Sequence, residues 1–176
     1  MLKRIVLSLV MAASMPGLAM AHGPTRQKVT QTIEINAPAD KVWAVLGKFQ
    51  DMGWTGIFVK TEGTGDNGVG ATRKLSLPDG GTVEEKLNKY DAAGKSYSYE
   101  ITKVDPKILP VANYSSTLSV KGDGAKSTVE WKGAFYRSYG LNDPPPDQND
   151  EAAVKAVTGA YTAGLANLKK TLEPGG

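Results

Sequence analysis

Residues 27–35, QKVTQTIEI, place Val29, Gln31, Ile33 and Ile35 on one side and Thr30, Thr32 and Glu34 on the other. A period of two is the pattern of a half-buried strand. Residues 36–40 break it, and Pro38 suits the start of a helix, where its missing N–H costs nothing. Val42, Trp43, Val45, Leu46 and Phe49 then recur at helical spacing, predicting a short helix over 41–49 that closes near Gly47 or runs into a second short turn up to Trp54. Alternation resumes in six further segments, 56–62, 69–77, 82–90, 96–104, 112–120 and 127–136, separated by turn clusters at 63–68, 78–81, 91–94 and 122–124 and by a longer connection at 105–110. The run Pro78-Asp79-Gly80-Gly81 is a strong hairpin signal. Residues 140–150, GLNDPPPDQND, fit neither helix nor central strand, because three successive prolines favour a stiff, extended, exposed chain. Asp150 can cap a long last helix, with Glu151 favourable in its first turn. Along it Val154, Val157, Tyr161, Leu165, Leu168 and Leu172 recur every three or four residues. Gly159 and Gly164 are unusual there, each costing about 1 kcal/mol against alanine.

The order is strand, short helices, six strands in hairpins, long terminal helix. It predicts an α+β fold: a curved, seven-stranded antiparallel sheet wrapped around the C-terminal helix, with short helices after strand 1 and a cavity between the layers.

The first residues read differently. Lys3 and Arg4 precede an apolar run over 5–13, a helix-breaking Pro16-Gly17, and the small-x-small triplet Ala19-Met20-Ala21. That is the grammar of a cleaved secretory signal, and the run is too short for a bilayer span of about 20 residues. The expected organisation is a signal peptide at 1–21, a flexible mature N-terminus at 22–28, and a single domain at 29–173, exported to the periplasm. A mature chain of about 155 residues can bury a proper core. The formal charge of +3 loses Lys3 and Arg4 with the signal, and no basic stripe of the kind nucleic acids need remains.

The chain has no cysteine and one histidine, His22. Disulfides, thiolate nucleophiles, haem attachment and zinc–cysteine sites are excluded. His22 at a new N-terminus can chelate copper through its amine and imidazole; the other reading is a disordered terminus. The glycine-rich run 63–68 joins two strands and lacks the Lys-Ser/Thr of a phosphate loop, so it reads as a turn. No catalytic constellation, metal or cofactor is expected. An enzymatic reading survives only through Glu85 acting with a tyrosine.

Two charges fall on apolar faces. Arg73 shares a side with Ala71, Leu75 and Leu77; across the hairpin, Glu85 shares a side with Val83 and Leu87. A buried charge is costly unless paired, so the two are expected to meet at the cavity mouth, either as a ligand's polar anchor or as a self-satisfied pair. Tyr97, Tyr99, Tyr114, Trp131, Phe135 and Tyr161 fall on inner faces and either line a pocket or fill it. Trp43 reads as core. Trp54, between Gly53 and Gly56, reads as partly exposed, placed to touch a partner or close the cavity. Asp143, Pro144, Pro145, Pro146 and Asp147 are the remaining partner-contact candidates, since a stiff exposed segment loses little entropy on docking; a rigid linker that sets up the last helix is the other reading.

Several stretches resemble the polyketide-cyclase, START and birch-pollen-allergen (SRPBCC, helix-grip) superfamily: Ala37-Pro38-Ala39-Asp40-Lys41-Val42-Trp43, Gly68-Val69-Gly70-Ala71-Thr72-Arg73, Val83-Glu84-Glu85-Lys86-Leu87, Leu109-Pro110-Val111 before Tyr114, and Val129-Glu130-Trp131. Narrower stretches look like the MxaD-type accessory proteins of periplasmic methanol oxidation. They are His22-Gly23-Pro24-Thr25, Asn113-Tyr114-Ser115-Ser116-Thr117, Gly133-Ala134-Phe135-Tyr136-Arg137, Asn142-Asp143-Pro144-Pro145-Pro146 and Asn149-Asp150-Glu151-Ala152-Ala153-Val154-Lys155-Ala156-Val157. That resemblance implies a non-catalytic protein that promotes electron transfer from a quinoprotein methanol dehydrogenase to its cytochrome c acceptor. The superfamily alone implies the alternative, a cavity-based binder or carrier of a small hydrophobic ligand.

Overall fold

A computed structural model describes residues 23–173. The expected signal peptide and His22 lie outside those residues. The elements are β1 (Gln27–Ile35), α1 (Ala39–Leu46), a 3-10 turn (Gly53–Thr55), β2 (Lys60–Thr64), β3 (Thr72–Ser76), β4 (Thr82–Asp91), β5 (Ser96–Val104), β6 (Val111–Lys121), β7 (Ser127–Arg137) and α2 (Asp150–Leu172). The seven strands form one antiparallel sheet in the order β1-β7-β6-β5-β4-β3-β2. Hairpins connect neighbours from β2 to β7, and β1 closes the far edge against β7, Ile35 opposite Ser127 and Gln27 opposite Phe135.

Alternation decides which face is inside. Val83, Glu85 and Leu87 of β4, Tyr97 and Tyr99 of β5, and Val129, Trp131 and Phe135 of β7 are buried while their neighbours are not. α2 lies across this face, turning Ala153, Val157, Tyr161, Leu165 and Leu168 inward, and fully burying a leucine or valine is worth roughly 1.5–3 kcal/mol. Gly164 has a packing reason: a Cβ there would stand 3.0 Å from the Trp131 ring and 3.4 Å from Thr55. Gly159 meets nothing, and nothing in the structure explains it.

Several boundaries differ from the periodicity. β2 starts at Lys60 rather than Gly56. The chain first makes the 3-10 turn, with Thr55 Oγ1 donating to the Met52 carbonyl at 2.7 Å and Gly56 at φ 67°, so Ile57 and Phe58 lie outside the ladder, and the first bond to β3 is the Val59 N–H to the Ser76 carbonyl at 2.9 Å. β3 is confined to Thr72–Ser76 because the chain just before it turns, the Gly68 N–H donating to the Gly65 carbonyl and the Ala71 N–H to the Gly68 carbonyl. α2 is capped by Asn149, whose side chain accepts from the Ala152 N–H at 2.7 Å, not by Asp150. Asp150 instead accepts from Arg137 at 3.2 Å and Thr25 at 3.1 Å. Gln27 and Lys28, assigned to a flexible tail, are ladder residues of β1.

Candidate functional site

A cavity of about 110 Å³ lies between the inner face of the sheet and α2. Tyr99, Tyr114, Trp131 and Tyr161 form its floor, with Val83 and Glu85 on the β4 side. Its rim is half-buried and apolar: Ile57 and Phe58 after the 3-10 turn, Leu77 at the β3–β4 hairpin, Ile101 of β5, and Ile108 and Leu109 of the β5–β6 connection. A depression of about 530 Å³ is larger, but it is open and lies along β5 and β6.

The floor carries a chain of neutral polar groups. The Tyr114 and Tyr161 hydroxyls lie 2.5 Å apart, and Tyr161 is 3.0 Å from Ser116 Oγ. Ser116 donates to the Lys132 carbonyl at 2.9 Å. Trp131 Nε1 donates both to Ser116 Oγ at 2.9 Å and to the Tyr99 hydroxyl at 3.0 Å, and its ring stacks on Tyr161 with centroids 4.2 Å apart. Tyr161 fits only because residue 133 is glycine: a Cβ at Gly133 would stand 2.3 Å from the tyrosine hydroxyl. Burial pushes the Tyr99, Tyr114 and Tyr161 hydroxyls well above their ordinary pKa. They are therefore uncharged hydrogen-bonding groups near neutral pH.

Arg73 and Glu85 stand directly opposite in the β3–β4 ladder, and the structure brings their side chains together. Arg73 Nε donates to Glu85 Oε2 at 2.6 Å, Nη1 donates to the Phe49 carbonyl at 2.5 Å, and the guanidinium lies 4.1 Å over the Phe49 ring. Arg73 Nη2 has no hydrogen-bond partner among the described residues. Burial works against the arginine's charge, but Glu85 and the nearby tyrosines outweigh it and hold the group more firmly protonated than usual. Burial also pushes the Glu85 carboxyl up, with Arg73 pulling it down without cancelling the rise. Glu85 lines the cavity and Arg73 does not. Glu85 Oε1 has no hydrogen-bond partner among the described residues.

Of the eight residues expected around a cavity, Glu85, Tyr99, Tyr114, Trp131 and Tyr161 line it, while Arg73, Tyr97 and Phe135 are buried behind it. Trp54 corrects its expectation: it is 5% exposed, with its ring 5.5 Å from Trp131, because the 3-10 turn folds it under α2, where Asn167 bonds its carbonyl at 2.9 Å. It is no partner-contact surface. In the proline segment, Asp143, Pro146 and Asp147 are exposed and Pro144 and Pro145 half-buried. Sequence reasoning missed Ser116, whose place on an inner face of β6 was its only signal. It also missed the rim residues Phe58, Ile108 and Leu109, which sit in connections without periodicity. No cluster of His, Cys, Asp or Glu able to hold a metal occurs among the described residues, and no helix there is long and apolar enough to cross a membrane.

A curved antiparallel sheet gripping a long helix over an apolar, tyrosine-floored cavity defines a helix-grip protein. The chain belongs to the family described as polyketide cyclase / dehydrase and lipid transport, which it matches over residues 26–173. It is 30% identical over 125 residues to S-norcoclaurine synthase 2 of Coptis japonica, 64% of this chain and 64% of that protein's length. It resembles the crystal structure of an uncharacterised protein from Bacillus thuringiensis, with TM-score 0.70 and 30% identity over 83% of this chain and 98% of that one. It shares the fold of norcoclaurine synthase from Thalictrum flavum, solved in complex with dopamine and hydroxybenzaldehyde, with TM-score 0.61 and 19% identity over 93% and 96% of the two chains.

Proposed function

We propose that this protein binds a small, mainly apolar molecule in the cavity under α2 and does not transform it. The observation that carries the reading is the combination of an apolar rim with a floor of neutral hydrogen-bonding groups. Few polar groups in an apolar concavity fix orientation without a large desolvation cost. An engineered cavity of roughly 150 Å³ takes a benzene, so at about 110 Å³ a single ring is the upper limit and seats with its far edge at the rim. The floor hydroxyls can accept or donate, and Glu85 Oε1 adds an acceptor. A ligand with a hydroxyl donor is therefore favoured over a carboxylic acid, which would face Glu85. The ring-sized hydroxylated molecules bound by the norcoclaurine synthase structure support the same class. Against catalysis, the one carboxylate on the cavity is engaged by Arg73. Calorimetric titration with 4-bromophenol and 4-bromobenzoate tests this. Saturable one-site binding of the phenol, with a raised melting temperature and a much weaker benzoate, is expected. No saturable binding, or equal affinity for both, contradicts it.

A second reading is favoured by a separate surface. We infer from the resemblance over residues 142–157 a periplasmic accessory role in methanol oxidation, aiding the encounter of methanol dehydrogenase with its cytochrome c acceptor. Supporting it, the connection before α2 exposes Asp143, Pro146, Asp147 and Leu141 (70% exposed). Buried Arg137 braces this connection through the carbonyls of Tyr139 and Leu141, each at 3.0 Å. A rigid acidic surface suits weak, salt-sensitive association. The dehydrogenase-to-cytochrome rate, measured with the mature protein across a salt series, is expected to rise and the gain to fade with salt. No gain at any salt contradicts it.

A further inference from the structure

The sheet does not close evenly. β5 and β6 pair from Ser96 opposite Ser119 to Glu100 opposite Ser115, and there the ladder stops. Beyond it Ile101, Lys103 and Val104 pair only with β4, and Val111 and Ala112 only with β7. β6 bulges between Ala112 and Ser115, with Asn113 at φ 48°. A sheet interior that forgoes ladder bonds leaves backbone N–H and C=O groups to solvent, so the strands splay in mid-sheet, where pairing is the rule. The open depression of about 530 Å³ described above is this split, lined by residues 100–104 of β5 and 111–115 of β6, with Arg26 beside them.

The split reaches the cavity. Ile101 and Tyr114 line the outer depression and also line the cavity beneath α2. Two side chains therefore separate the outside of the sheet from its interior. Tyr114 is held across the gap by one polar contact on α2, the Tyr161 hydroxyl, and by stacking on Phe135 at 6.0 Å. Its neighbour Asn113 is exposed and already in the left-handed region, which asparagine tolerates better than most residues, so the bulge is a place where β6 can flex without breaking further ladder bonds.

We propose that the β5–β6 split is the door through which ligand reaches the cavity, with Tyr114 as its shutter and the Tyr161 hydroxyl as the latch. The proposal rests on the ligand-binding reading of the cavity and adds the route. The half-buried rim around Ile57, Phe58 and Leu77 is the competing route, and the door does not require it to move. A shutter one aromatic side chain wide passes flat, narrow molecules and delays branched ones.

Stopped-flow quenching of tryptophan fluorescence by 4-bromophenol tests the route. Ala112 lines the outer depression and not the cavity, so Ala112→Trp obstructs the door alone. It is expected to slow association and dissociation together by fivefold or more, with the dissociation constant unchanged within twofold. Tyr161→Phe keeps the ring and removes the latch, and is expected to speed association by threefold or more, a rate that loss of a ligand contact alone does not raise; it also serves where Ala112→Trp fails to fold. Rates within twofold of wild type in the folded variants, with affinity intact, overturn the door and leave the binding site standing. Slowing by Leu77→Trp at the loop rim, without slowing by Ala112→Trp, assigns the route to the loops and likewise overturns it. Absence of saturable binding in both wild type and Tyr161→Phe overturns the binding reading and the door with it.

Discussion

The interior has two ends that solve the same problem oppositely. Toward α1, Arg73 is charged and the space around it is filled by Phe49, Tyr97 and Tyr99, with Phe49 and Tyr97 in edge-to-face contact at 6.0 Å, while its partner Glu85 reaches the cavity wall. Toward α2, Tyr114, Ser116, Trp131 and Tyr161 are neutral, and a cavity is left beside them. Buried charge is costly unless paired, and here the pairing runs through one Arg73–Glu85 bond and the Phe49 carbonyl. Neutral hydroxyls and an indole N–H satisfy one another and leave capacity for a further bond, so the neutral end can stay hollow. The charged pair holds β3, β4 and the chain after α1 together, and in the proposed binding it lends one acceptor, Glu85, beside the uncharged groups of the floor.

The sharpest way to break this comparison is to remove one charge. Arg73→Met or Glu85→Gln is expected to cost about 3–5 kcal/mol in urea unfolding, the penalty of leaving the partner buried and alone. The double variant Arg73→Met/Glu85→Leu is expected to recover most of it. A single variant costing less than about 1 kcal/mol contradicts the tightly covered pair. Next comes alkali. The folded-state pKa values of Tyr97, Tyr99, Tyr114 and Tyr161 are raised, chiefly by burial. Their contribution is whole below the unfolded value of about 10 and is lost as pH rises toward the folded values. Stability should fall steeply above about pH 10, with tyrosinate absorbance appearing together with unfolding; tyrosinate appearing well before unfolding contradicts the burial.

Smaller effects sharpen the picture. Gly133→Ala drives a methyl into the Tyr161 hydroxyl and is expected to cost about 1–3 kcal/mol, with loss of the Tyr114 contact visible as a changed near-ultraviolet dichroism signal. The smallest effect is a control. Lys86 and Glu100 also meet at 2.6 Å, yet both are more than a third exposed. Lys86→Ala is expected to change stability by less than about 0.5–1 kcal/mol, so that distance alone is not what makes the Arg73 pair matter.

Much of the fold was legible because period and turn chemistry agreed. The alternation of β1, the Pro78–Gly81 hairpin and the heptad-like run from Val154 to Leu172 each had one solution. The Arg73–Glu85 contact was legible for the same reason: a hairpin fixes register, and register puts residues 73 and 85 opposite. Trp54 was not, since its glycine neighbours signal exposure, whereas Gly53 and Gly56 instead make the tight turn that buries it. The extra length assigned to β2 came from Ile57 and Val59, whose alternation is real but reaches β3 only through the Val59 N–H bond to the Ser76 carbonyl. The cavity floor was legible as aromatic inner-face positions; Ser116 was not, because a serine on an inner face looks like any other until Trp131 and Tyr161 arrive from β7 and α2. The β5–β6 split was invisible, since both strands keep their period where they part.

The most direct test of the binding site is diffraction from crystals soaked in 4-bromophenol, using the anomalous signal of bromine. One bromine peak is expected inside the cavity, among Tyr99, Trp131 and Tyr161, with the phenol hydroxyl within hydrogen-bonding distance of the tyrosine–serine cluster or Glu85. Bromine only on the outer surface, or none in a cavity that stays closed at saturating phenol, contradicts it.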